Sequence, residues 1–154
     1  MKTVPRRARP EEWPELADVF IVARAGMPYL PKLHTDGKTR AFIAHVARTL
    51  EIWVVERPHR SIAGFAAIRD GAGAAWLDHL YVHPSAQGQG VGAALLAATK
   101  TQRPQGFSLW TFQANAGARR FYEDHGLVCE RLTEGRDNEE KLPDALYVWR
   151  GHQE

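Results

Sequence analysis

Apolar residues recur along this chain in two periods, and the switches between them order its elements. Residues 2–8 are a candidate for a short first strand. Trp13, Leu16, Ala17 and Phe20 then fall at helical spacing behind Pro10, Glu11 and Glu12. Proline lacks an N–H that a helix's first turn does not need, and acids there complement the dipole. Gly26 and Pro28 end the run. A second helix is expected after Thr35, with Phe42, Val46 and Leu50 on its buried face. The period then changes to that of strands in "EIWVVE", "SIAGFAAI" and "AAWLDHLYV", the first two separated by the turn-like "RPHR". Val91, Ala94, Leu95 and Ala98 return to i, i+3, i+4, i+7 spacing, which predicts a third helix. "FSLWTF" is a strand. Asn115 opens a fourth helix with Ala118, Phe121, Tyr122 and His125 on one face, and Gly126 closes it. "LVCERL" and "ALYVWR" are the last strands, joined by the long polar loop "TEGRDNEEKLPD".

The order β-α-α-β-β-β-α-β-α-β-β puts hairpin-connected strands early and helical crossovers late. It predicts an α/β fold of the mixed α+β kind: a central mixed sheet of about six to seven strands with helices on both faces. At 154 residues the chain is expected to form a single domain, 1–154. Apolar residues are 44% and charged residues 25%, and a net charge of +2 is too small to imply nucleic acid. No window approaches the roughly 18 apolar residues of a membrane span. The one cysteine, Cys129, cannot form an intrachain disulfide, and "MKTVPRRARPEEW" lacks the apolar stretch of a signal peptide. These features lead us to expect a cytoplasmic protein.

The most informative stretch is "HPSAQGQGVGAALLAATK", residues 83–100, with glycines at alternate positions just before a helix. Gly88, Gly90 and Ala93 formally satisfy the G-x-G-x-x-G/A dinucleotide fingerprint. Two requirements of that motif fail. "HPSAQ" separates the strand from the first glycine, and no acid lies about 20 residues further on to bind a ribose. The same glycines also place successive unpaired N–H groups at a helix start, which is an anion site.

This Gln87-x-x-Gly90-x-Gly92 loop after "LYVHP" resembles the acetyl-CoA signature of the GNAT superfamily of N-acetyltransferases. "NAGARRFYEDHGL" resembles the family's N-x-x-A-x-x-x-Y-x-x-x-G-[FL] helix, with Asn115, Ala118, Tyr122 and Gly126 in register, and the element order agrees along nearly the whole chain. Gln87 stands where arginine is more frequent in the family. The resemblance implies acetyl-CoA as co-substrate. Its pantetheine arm would lie along Leu80, Tyr81 and Val82, and its pyrophosphate on Gln87, Gly88, Gln89, Gly90, Val91 and Gly92. Asn115 would bond the arm, and Tyr122 would stand near the sulfur as the acid for the departing thiolate. Asn115 and Tyr122 are seven residues apart on one helix face, roughly 10 Å. The plainer alternatives are a helix cap for Asn115 and a core aromatic for Tyr122.

In the family the base is often a carboxylate on the strand before the loop, and Asp78 is the only acid in "AAWLDHLYV". A regular strand would put Asp78 on the face of Leu80 and Val82, with His79, the lesser candidate, on the other; a bulge would upset that parity. "MPYLPKLHTD" bridges the first two helices, where the family builds its acceptor wall. Tyr29, Leu33 and His34 are therefore the acceptor-site candidates, unless Thr35 or Asp36 merely caps the helix. "DNEEKLPDALYVW" also looks like a feature of some bacterial members. No metal is expected: His79 and His83 would lie about 13 Å apart on a strand. The resemblance thus implies transfer of acetyl from acetyl-CoA to a primary amine, small molecule or peptide, by direct attack in a ternary complex. It also allows a homodimer through an edge strand, while the small net charge and the lack of a long apolar window lead us to expect no nucleic acid or membrane partner. The alternative is a non-catalytic acyl-CoA-binding or sensor module.

Overall fold

The computed structural model describes residues 3–152. Lys2, the first residue of the expected first strand, lies outside them. The elements are β1 (Arg6–Arg7), α1 (Trp13–Ala25), α2 (Asp36–Thr49), β2 (Glu51–Glu56), β3 (Ile62–Gly71), β4 (Ala74–Val82), α3 (Val91–Gln102), β5 (Phe107–Phe112), α4 (Ala116–Asp124), β6 (Val128–Thr133) and β7 (Asp144–Trp149). Short 3-10 turns at Pro10–Glu12 and Pro84–Ala86 precede α1 and follow β4. The seven strands form one sheet in the order β1-β2-β3-β4-β5-β7-β6. Every neighbouring pair is antiparallel except β4 and β5. The mixed sheet and its element order agree with the sequence expectation.

Each sheet face carries its own core. Leu16, Ile43, Val46 and Phe65 bury α1 and α2 against one face, and Leu95, Leu96, Leu109 and Tyr147 build the α3–α4 side. Caps start the helices where expected. Thr35 Oγ1 accepts from the Lys38 N–H at 3.2 Å, and Asn115 Oδ1 accepts from the Ala118 N–H at 3.0 Å. The buried stripe of α2 departs from expectation: Ile43, Val46 and Ala47 are buried, whereas Phe42 is exposed. Phe42 and Ile43 are adjacent and both apolar, so periodicity alone could not choose between them. The packing of α2 against α1 and the sheet turns Ile43 inward.

Two irregularities of β4 shape the site. Its register against β3 passes from Ala67↔His79 to Ile68↔Leu77, so Asp78 is an extra, unpaired residue. The alternation that would align Asp78 with Leu80 and Val82 is therefore broken. Leu80 and Val82 join the α3–α4 core, while Asp78 pairs with Arg69 of β3, Nε to Oδ2 at 2.7 Å. The second irregularity is that β4 and β5 pair only at Trp76↔Ser108. Beyond that point the two strands part, and the edge of β4 from Asp78 to Val82 has no strand partner on the β5 side.

Candidate acyl-transfer site

The loop from His83 to Gly90 turns β4 into α3 with two left-handed residues, Gly88 (φ 76°) and Gly90 (φ 83°). A Cβ at either would meet nothing within 4 Å, so handedness and not room demands glycine at these positions. At Gly92 a Cβ would make only ordinary contact with the Phe121 ring, at 3.5 Å. The first helical bond runs from the Ala94 N–H to the Gly90 carbonyl at 3.0 Å. Among the described residues, the backbone N–H groups from Gly88 to Ala93 find no backbone acceptor. The Gln87 N–H is partly engaged, donating to Pro84 at 3.4 Å. Consecutive open N–H groups around left-handed residues at the positive end of a helix form an anion cradle.

The parting of β4 from β5 opens a cavity of about 450 Å³. Asp78, Leu80, Tyr81, Asn115 and Tyr122 all line it, whereas Val82 and residues 87–92 lie outside it. Asn115 commits its side-chain oxygen to the cap, and its amide nitrogen is the donor that stands beside the Tyr29 hydroxyl. The Tyr122 ring packs against Phe121 and Tyr147, with centroids 5.4 and 5.9 Å away. Burial, and then the neighbouring Tyr81, push the Tyr122 pKa well above the usual phenol value, so its hydroxyl stays protonated.

A second cavity of about 670 Å³ lies between α1, α2 and the loop before β7, and Leu33 and His34 line it. Tyr29 lines neither cavity. Its ring packs against Phe112, centroids 6.0 Å apart, and its buried hydroxyl, its pKa raised by burial and then by Tyr81, stands beside the Asn115 side chain. His34 Nε2 contacts Glu139, tying the two halves of this wall together.

Four residues join the two cavities, and of these only His79 belongs to the sequence expectation. Arg24, Met27, His79 and Glu140 line both. Arg24 donates to the Tyr81 hydroxyl at 3.1 Å and to Glu140 Oε2 at 3.0 Å, and its guanidinium lies 5.2 Å from the centre of the Phe20 ring. Composition marks the polar loop before β7 as unusual, yet nothing in it separates Glu140 from Glu139. Among the described residues, no group of three His, Cys, Asp or Glu is gathered as a metal ion would need.

His79 sits among the rings of Phe20, Phe42 and Tyr81, at 5.8, 5.7 and 6.2 Å. Burial lowers its pKa to about 4, with Arg24 adding to the fall and Asp78 opposing it. The imidazole is therefore neutral at physiological pH. In the unfolded chain it protonates near 6.5, so the stability attached to it is complete above that pH and is lost as pH falls towards 4. The shift corresponds to about 3 kcal/mol. Urea titrations at pH 7 and pH 4.5 should show a larger fall in the native protein than in His79→Gln. Equal falls would mean that the imidazole protonates in place.

The protein-family description that matches this sequence is "Acetyltransferase (GNAT) domain", over residues 48–127, just over half of the chain. No curated protein matches the sequence significantly. Among solved structures, YjaB from Escherichia coli is 21% identical with a TM-score of 0.73, over 96% of this chain and 97% of that one. A GNAT-family acetyltransferase from Bacillus cereus is 16% identical with a TM-score of 0.76, over 97% of both chains. The ribosomal-protein-S18-alanine N-acetyltransferase from Escherichia coli is 16% identical with a TM-score of 0.76, over 98% of this chain and 96% of that one. At such identities these structures speak for the fold, and the match over residues 48–127 carries the assignment: this chain belongs to the GNAT family of acetyltransferases.

Proposed function

We propose that the protein transfers an acetyl group from acetyl-CoA to the nitrogen of a primary amine, by direct attack in a ternary complex. The observation that carries this reading is the parting of β4 from β5 beside a row of open N–H groups at the start of α3. A cradle for a diphosphate and a slot for an extended amide-bearing arm are thereby next to each other. When bound, acetyl-CoA supplies an activated thioester carbonyl.

The N–H groups from Gly88 to Gly92 and the α3 dipole receive the diphosphate. The free edge of β4 at Leu80, Tyr81 and Val82, with the Asn115 amide, holds the arm. In the transfer a C–N bond forms and the C–S bond breaks. Tyr122 donates its phenolic proton to the departing sulfur. The proton lost by the amine passes through water to Asp78, which lines the cleft while held by Arg69. Proximity supplies much of the acceleration.

The acceptor is a small-molecule or peptide amine, and we place the protein in the cytoplasm. No helix among the described residues is long and apolar enough to cross a membrane. Self-association belongs to the same reading: β6 ends the sheet and leaves Val128 and Leu132 exposed, an edge on which a second copy can pair.

The test is thermal unfolding with acetyl-CoA, CoA, NADP and ATP. A ligand at about a hundred times its Kd stabilises by ~2.7 kcal/mol, or on the order of 5–10 °C for a chain of this size. Acetyl-CoA and CoA should each shift the native protein, and Gly90→Val should lose most of the shift. A shift with NADP alone would revive the dinucleotide reading. No shift with either thioester ligand or CoA would sink the proposal. Binding without thiol release for any amine would leave the acyl-CoA-binding module standing.

A further inference from the structure

Resting on the acetyl-transfer reading, we propose that the acceptor is an amine carrying a neutral apolar substituent, aryl or branched alkyl, seated in the cavity between α1 and α2. This cavity, about 670 Å³, is within the range of small-molecule sites. Its wall is largely apolar, built from Phe20, Ile21, Met27, Leu30, Leu33 and Phe42. Leu33 and Phe42 are 48% and 47% exposed, although each is large and apolar. The fold leaves both open to water in the same concavity, where an apolar ligand would cover them.

Among the described residues, the charged groups around this cavity answer one another, except Lys38. Lys32 pairs with Asp36 at 2.9 Å, Arg24 pairs with Glu140 at 3.0 Å, and His34 contacts Glu139. A cationic substituent would find every acid here already engaged and an anionic one only the exposed Lys38, whereas a neutral one would need nothing from them. The first cavity has the opposite character. Asp78, Asp137, Glu140 and Asp144 line it against Arg24 and Arg131, with Arg69 pairing Asp78 from outside, and the acidic excess that remains suits an ammonium group. The two cavities meet at Arg24, Met27, His79 and Glu140. A molecule with its apolar body in one therefore projects its amine into the other, towards the gap between β4 and β5.

The experiment is calorimetric titration of the full-length protein, with and without saturating CoA, using phenylethylamine, ethanolamine and 1,4-diaminobutane. Phenylethylamine should bind at least tenfold more tightly than either polar amine. Leu33→Ser combined with Phe42→Ser should abolish that preference. Both side chains are half exposed, so the fold should survive, and an unchanged CoA titration in the variant would verify it. Equal affinities, tighter binding of the diamine, no binding of any amine, or a preference that survives the double substitution would each overturn the proposal. Failure of CoA itself to bind would count against the acetyl-transfer reading alone, because the titrations without CoA still report on the cavity.

Discussion

Tyr122→Phe should lower kcat on the order of a hundredfold while leaving CoA affinity within about twofold, because positioned proton donors typically contribute two to four orders of magnitude. The hydroxyl is the only group removed. Tyr147, next to it, is held between Arg119 and Glu123, whereas no protein partner among the described residues holds the Tyr122 hydroxyl. Deleting it therefore strands no buried partner, and the ring contacts with Phe121 and Tyr147 remain. Stability should change little, which makes the kinetic result readable. Burial holds this phenol's pKa above its ordinary value, so it is a donor throughout the neutral range and its own ionisation should not appear in the pH–rate profile below pH 10. Steady-state kinetics with thiol release, paired with a CoA titration, would check this. An unchanged kcat would mean that the leaving sulfur takes its proton from water.

Arg24→Ala should destabilise the protein by about 3 kcal/mol, the order expected when one partner of a largely buried ion pair is removed. Only 24% of the Arg24 side chain and 14% of the Glu140 side chain remain exposed. The substitution deprives Glu140 of its counter-ion and the Tyr81 hydroxyl of its donor, and removes a cation from the face of the Phe20 ring. The loop before β7 should loosen as well, since Glu140 is one of its anchors. Urea unfolding of Arg24→Ala, Glu140→Gln and the double variant would separate these effects. The double variant should be distinctly more stable than the sum of the single losses predicts, because the stranded carboxylate is gone. Strict additivity would mean that the pair is solvated and energetically slight.

Much of the fold is legible in order and type because its signals are local. The helical spacing of Trp13, Leu16 and Phe20, the cap at Thr35 and the cap at Asn115 each act within a few residues. The glycines at 88 and 90 could also be read locally, since a left-handed backbone depends on the residue itself. Where two apolar neighbours compete, as Phe42 and Ile43 do, period alone leaves the choice open and packing makes it.

The sequence by itself determined the element order, the single mixed sheet with helices on both faces, the glycine-rich start of α3 and the helix carrying Asn115 and Tyr122. Local backbone preference and hydrophobic period suffice for the elements, and their order of hairpins and crossovers for the sheet. Tertiary structure alone decided that Asp78 would be the extra residue of a bulge held by Arg69, because a bulge is a mismatch between two strands. It also decided where β4 leaves β5, and that Arg24 would meet Glu140 and His34 would meet Glu139. Those last partners are 116 and 105 positions apart, and no local rule spans such distances. They meet because the sheet places β7 beside β5 and brings the loop before it over the ends of α1 and α2, where an unpaired charge at a half-buried wall would be costly.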